Sequence, residues 1–216
     1  MSRAVALLLL ITVATIFSTQ YATVSLSVSA NVVTNQTGLI WFGAGDKAGD
    51  GVYALRAPSN GAQAYLFFWK IPPSSSKEYT QAFAIVNEEA FDIMITKIDV
   101  QSIPTGFSVS VWLDDDGNPG NGRTTAFDGS PHTLSYVLNA GDGDDTTVVD
   151  SSGTSQSVSY DGSSHTKPLD PSWVGSDGSS STQSDFVWVD VMITVDGTVS
   201  SGDYSFTIVV YFQSAS

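Results

Sequence analysis

The chain has 216 residues, 22 of them acidic and 8 basic, for a net charge of −14, with 42% hydrophobic residues, 11% aromatic residues and no cysteine. That charge excludes polyanions such as nucleic acid and anionic lipid surfaces as partners, and leaves cations as the natural small ones. The absence of cysteine excludes disulfides, thiolate metal sites and thiol chemistry, so a domain of this length must rest on packing and hydrogen bonds alone.

Residues 1–22 read as an export signal, with Arg3 as the positive start, Ala4 to Phe17 as an apolar run and Ser18 to Ala22 as a polar tail. The run falls short of the roughly twenty apolar residues that span a bilayer. Small Ala22 suits a signal peptidase, so the expected cut follows Ala22 and the membrane is a partner only during export. A cut after Ala30, with Val28 upstream, is the alternative, and a retained membrane anchor or pilin-like helix is a third. The helix is disfavoured because the pattern changes at once to β-branched residues and serine.

From Thr23 to Thr34 apolar and polar residues alternate strictly. Val24, Leu26, Val28, Ala30 and Val32 fall on one face of an extended strand, and Ser25, Ser27, Ser29 and Asn31 on the other. Such a strand, at the start of the mature chain, can pair in its own sheet or reach into a neighbouring molecule. The second is the reading adopted: residues 23–34 are a donor strand and residues 35–216 the body that receives one. The strand would extend about 40 Å at ~3.3 Å per residue. Burying Val24, Leu26, Val28 and Val32 contributes roughly 6–12 kcal/mol gross, before the ordering cost of the tail.

Asn35-Gln36-Thr37 is a glycosylation sequon, relevant because the chain reads as exported. Leu39 to Phe42 is a short strand. Gly43 to Gly51 is a flexible acidic loop rather than a phosphate-binding one, because a strand candidate, Val52 to Ala57, follows where a helix N-terminus is needed. Gln63 to Ile71 is almost continuously apolar and reads as a central strand covered on both faces. Tyr79 to Asn87 and Phe91 to Gln101 read as a strand pair joined by Glu88-Glu89-Ala90. In the second, Phe91, Ile93, Ile95 and Lys97 share one face and Met94, Ile98 and Val100 the other, an imperfect alternation. Gly106 to Asp114 alternates cleanly, with Phe107, Val109, Val111 and Leu113 inward and Ser108, Ser110 and Trp112 outward.

His132 to Ala140, Thr146 to Val149 and Val158 to Tyr160 give further strands. Residues 161–184 read as a surface excursion rich in glycine, serine and aspartate, anchored by Trp173 and Val174. Asp185 to Val195 and Asp203 to Phe212 are two strong closing strands. About ten short strands, turn-rich connections and no helical stripe predict an all-β fold, a β-sandwich or jelly roll.

Candidate chemistry is sparse. Asp114, Asp116 and Asn118 have the one-three-five spacing that converges on a hard cation such as Ca²⁺. Pro119 and Thr125 stand where an EF-hand needs glycine and glutamate, and an acidic β-turn explains the same letters. Asp142, Asp144 and Asp145 form a weaker cluster of the same kind. Two histidines, His132 and His165, without an HExxH helix do not make a zinc hydrolase, and no Gly-x-Ser-x-Gly elbow exposes a nucleophile. Glu88 and Glu89 are sequence neighbours, which a strand would point to opposite faces. The expectation is a protein that is not an enzyme and requires no cofactor. Trp112, Trp173 and Trp188 are exposed-aromatic candidates for a second reading, a secreted or membrane-anchored sandwich module that binds glycans. Burial or a subunit contact is the competing use of those rings.

Taken together, the leader, the alternating first strand, the acidic cysteine-free β body and the run Tyr79 to Asn87, Phe91 to Gln101 and Gly106 to Leu113 resemble one family of fibre subunits. These are the archaeal bundling pili and, more distantly, the TasA/camelysin family of biofilm fibre proteins. The resemblance implies a jelly-roll subunit that donates its mature N-terminus to the next subunit, forming extracellular filaments that bundle in biofilm. The implied partner is the chain itself, in a head-to-tail homopolymer. Divalent cations or glycans would offset repulsion between filaments. The peptidase activity attributed to some camelysins is not expected here, since the sequence has no recognisable zinc set.

Overall fold

The computed structural model describes residues 26–34, 40–44, 55–56, 63–114, 132–143, 146–159 and 167–215, which form strands and, among the described residues, no helix. In chain order the strands are β1 (Leu26–Thr34), β2 (Ile40–Ala44), β3 (Leu55–Arg56), β4 (Gln63–Ile71), β5 (Ser75–Asn87) and β6 (Ile93–Gln101). Then follow β7 (Phe107–Asp114), β8 (His132–Leu138), β9 (Thr147–Val149), β10 (Ser155–Ser157), β11 (Phe186–Val195) and β12 (Gly202–Ser214). A six-stranded sheet has the order β3-β4-β1-β12-β6-β8, a four-stranded sheet the order β2-β5-β11-β7, and β9 and β10 form a separate hairpin.

One hydrophobic cluster joins the two large sheets. Val28, Ala30, Leu66, Phe68, Ile95, Phe206 and Ile208 enter it from the six-stranded sheet, and Phe42, Tyr79, Phe83, Val111, Val189 and Val191 from the other. Phe68 meets Tyr79 across the gap with ring centroids 4.7 Å apart, and Phe107 meets Tyr204 at 4.7 Å. The molecule is therefore an all-β sandwich, as the strand pattern predicts.

The run from β4 to β8 alternates between the sheets, and so do β11 and β12. This corrects the pairing expected of residues 79–87 and 91–101: β5 and β6 lie in opposite sheets. Residues 88–92 cross the ~10 Å between stacked sheets. Asn87 turns the corner, its side-chain amide donating to the carbonyls of Phe91 (3.1 Å) and Asn139 (2.6 Å) and its oxygen accepting the Glu89 N–H at 3.0 Å. A short connection between apolar runs suggests a hairpin, but it serves a crossover equally well when a buried amide bonds both ends of the turn.

The imperfect alternation of β6 is a bulge. Its pairing with β8 shifts register between Ile95 and Lys97, so Ile93 and Ile95 before the shift and Ile98 and Val100 after it all face the core. A second irregularity interrupts β5 opposite Asp190 of β11. There Gln81 adopts a φ of 51°, and its backbone N–H donates to Asp190 Oδ1 at 2.6 Å. That bond supports a left-handed backbone that non-glycine residues seldom adopt.

A second cluster covers the outer face of the four-stranded sheet. Ala84, Val86, Phe186 and Trp188 lie under Val148, Val158 and Leu169, with Trp173 packed alongside. Residues 146–159 and 167–185 thus form a third layer, which explains why the apolar runs of β5 and β11 are buried on both faces. Leu169 anchors it, whereas Val174, expected to do so, is 37% exposed. The hairpin strand is Ser155–Ser157 rather than Val158 to Tyr160, and Val158 is a buried contact just beyond it. β4 departs from expectation too. Leu66 and Phe68 are buried while Tyr65 is exposed and Phe67 half-buried, because only the inward face of the six-stranded sheet is covered there.

Candidate subunit interface: the slot filled by the first strand

β1 lies between β12 and β4, paired with both. It runs parallel to β12, from Leu26 opposite Gly202 to Thr34 opposite Val210, and antiparallel to β4, where Val28 faces Phe68 and Val33 faces Gln63. β4 and β12 are therefore antiparallel to each other with one strand's width between them. Without β1, two backbone edges would lose their partners and the core beneath would be open.

Val28 and Ala30 are each 1% exposed, so the inward face read from the alternation is the buried one at those positions. Leu26 and Val32 also lie on β1. Ser29 is half-buried, and its hydroxyl donates to the Tyr204 carbonyl at 3.4 Å. Ala30 stands between Leu66 and Phe206. Phe68 of β4 and Phe206 of β12 stack with centroids 6.1 Å apart and planes 10° apart. Strands two places apart are separated by roughly 9.6 Å, so these rings lean together over β1, and the small side chain at Ala30 leaves them room. Ala30→Leu is expected to overpack this point and lower stability by about 1–3 kcal/mol in denaturant unfolding. Unchanged stability would mean that the rings do not depend on that space.

Val24, the cleavage point after Ala22, the sequon at Asn35, and Asp116 and Asn118 of the acidic loop lie outside the described residues. Asp114 ends β7, opposite Trp188 of β11, and is fully buried. Asp142 accepts a hydrogen bond from the Thr147 hydroxyl. Among the described residues no group of three or more His, Cys, Asp or Glu side chains is placed to hold a metal ion. Glu88 is buried in the crossover beside half-buried Glu89.

The aromatic candidates need correction. Trp188 is fully buried, and its indole N–H donates to the Trp173 carbonyl at 2.8 Å. Trp112 and Trp173 are half-buried, Trp173 packed against the cluster that contains Trp188. Trp188 lies on the outer face of the four-stranded sheet, and the third layer covers that face.

Asp185 escapes a reading based on motifs. It is 1% exposed at the foot of β11, where its Oδ1 accepts the Val149 N–H at 2.8 Å. Its carbonyl accepts the Asn87 N–H at 2.8 Å and its own N–H donates to the Val149 carbonyl at 3.3 Å. Burial pushes its carboxyl up to about 7, against the pull of the Val149 N–H, with the charge of Asp142 adding to the rise. The only advance signal is an acidic residue abutting the apolar run FVWV.

No protein-family model, curated protein or solved structure matches the chain. Among the described residues no helix is long and apolar enough to cross a membrane.

Proposed function

We propose that the chain is an exported structural subunit that polymerises by strand exchange: β1 of one copy leaves its own sheet and fills the equivalent slot of the next. The observation that carries this reading is the position of β1. Among the described residues it is the first strand in chain order, yet it sits inside a sheet rather than at its edge. Its withdrawal leaves the β3–β4 and β12–β6 pairings intact.

The same hydrogen bonds and the same buried Val28 and Ala30 are available in cis or in trans, so exchange conserves most of the interaction energy. Donor strand and slot are different surfaces of one molecule. The contact is therefore heterologous and propagates into an open filament. The filaments are extracellular and bundle in a biofilm matrix, with divalent cations screening the repulsion between strongly acidic subunits.

A cysteine pair tests the exchange. Ser29 and Ser205 stand in register on β1 and β12, and the chain has no other thiol. Neighbouring strands stand ~4.8 Å apart, within the Cα separation a disulfide accepts. Oxidising assembled fibres of the Ser29→Cys, Ser205→Cys variant should give a ladder of covalent multimers on denaturing electrophoresis. Oxidising dilute monomer should lock β1 in cis and block assembly until a reductant is added. Fibres that yield only covalent monomers, or a locked monomer that assembles at the wild-type yield, would overturn the proposal.

A further inference from the structure

We infer that the outer face of the six-stranded sheet is a binding platform for a neutral polysaccharide. Its aromatic side is on β4, where Tyr65 is 43% exposed and Phe67, two residues on, is half-buried. Register extends this side into polar rows. Phe67 is followed across the sheet by Ser29 and Ser205, and Tyr65 by Asn31, Thr207 and Gln101. Ser205 and Gln101 are exposed, and Ser29 and Thr207 are half-buried.

On β6 the polar end is held in place. The Gln101 side-chain amide donates to Asp99 Oδ2 at 2.8 Å, and Lys97 Nζ bonds the same oxygen at 3.2 Å. The Lys97 ammonium also lies 4.8 Å from the centroid of the Tyr211 ring. Tyr65 and Gln101 are three strand spacings apart, about 14 Å, and alternate residues on one strand are about 7 Å apart. The face therefore offers rings beside rows of hydroxyl, amide and carboxylate groups over the length of a short run of sugar units.

This combination suits a sugar chain chemically. The C–H face of a pyranose is apolar and lies flat on an aromatic ring, while its equatorial hydroxyls both donate and accept, matching hydroxyl and amide side chains. The charge selects a neutral polymer: Lys97 and Asp99 neutralise each other within the patch, and a chain of net charge −14 repels acidic polysaccharides. The same argument disfavours a second copy of the chain as the occupant. Ser29 and Asn31 belong to β1, so in a filament built by exchange the neighbouring subunit would complete the platform. The platform is the same whether β1 is in cis or in trans, and its test is independent of polymerisation.

The test is native affinity electrophoresis of the full chain in gels containing a neutral β-glucan, a mannan, a galactan or acidic alginate. At least one neutral polymer should retard the wild type, and Tyr65→Ala should weaken that retardation tenfold or more. Phe91→Ala, which removes an aromatic ring 48% exposed in the crossover, should leave it unchanged. Circular dichroism and unfolding midpoints establish that both variants are folded; Gln101→Ala, at the other end of the Tyr65 row, provides a second weakening variant. Retardation by none of the neutral polymers, retardation by alginate alone, or equal losses in Tyr65→Ala and Phe91→Ala would each overturn the assignment. So would a Tyr65→Ala variant that binds sugar normally but loses self-association, which would make this face a contact between copies.

Discussion

Replacing Asp185 with asparagine is expected to make the protein more stable at pH 8 while leaving it nearly unchanged near pH 4. The carboxyl is raised from about 3.8 to about 7 in the folded chain, chiefly because burial penalises the charged form. Between those values the folded chain keeps a proton that the unfolded chain has released. Stability from this group is therefore fully present below the unfolded value and is lost as pH rises through about 7. That rise of the carboxyl corresponds to about 4 kcal/mol.

Asparagine retains an oxygen for the Val149 N–H and carries no charge to repel Asp142, so its stability should stay flatter from pH 4 to pH 8. Denaturant unfolding of both proteins at half-unit pH steps measures the difference. Parallel curves would mean that Asp185 does not titrate in this range. Asp99, Asp170 and Asp177 act in a separate window. Their carboxyls are held below the usual value first of all by hydrogen bonds from Gln101, Ser172 and Thr182, so their contributions are lost only as pH falls through those lowered values.

Trp188→Ala should cost about 3–5 kcal/mol, the range for deleting a large buried aromatic side chain. Trp188 fills the space between the four-stranded sheet and its covering layer, edge-on to Phe186 at 5.8 Å, and its N–H holds the Trp173 carbonyl. The loss should be local at first. Limited proteolysis should nick the segment between Asp150 and Gln183 earlier than in the wild type, while the cluster between the two large sheets stays protected. Trp188→Phe, which keeps much of the bulk and loses the N–H, should fall between the two. Equal protease sensitivity in all three proteins would show that the covering layer does not depend on this ring.

Local periodicity made part of this fold legible. The clean alternation of Phe107, Val109, Val111 and Leu113 marked β7 and its buried face, and the runs 185–195 and 203–212 marked β11 and β12 within two residues at either end. Periodicity reports which face of a segment is covered, but not by what. It therefore could not separate β5 from β6 into different sheets, nor place Leu169 and Val158 over Trp188. Where alternation broke, between Ile95 and Ile98, the cause was a bulge, which reverses the inward parity in the middle of a strand. Of the candidate interface, Val28 and Ala30 were readable from the alternation. Phe68 and Phe206, which frame them, were not, because cross-strand partners far apart in sequence leave no local trace.

Ser29 and Tyr204, joined by a hydrogen bond beside the slot, are 175 positions apart in the chain. A polypeptide emerges N-terminus first, so β1 is complete long before β12 exists to receive it, and closing so long a loop is slow. On the proposed exchange, a finished neighbour whose own β1 has left its sheet presents β12 during that interval. If strands are exchanged as proposed, the fate of the first strand is a race between intramolecular closure and encounter, and the local concentration of subunits sets the odds.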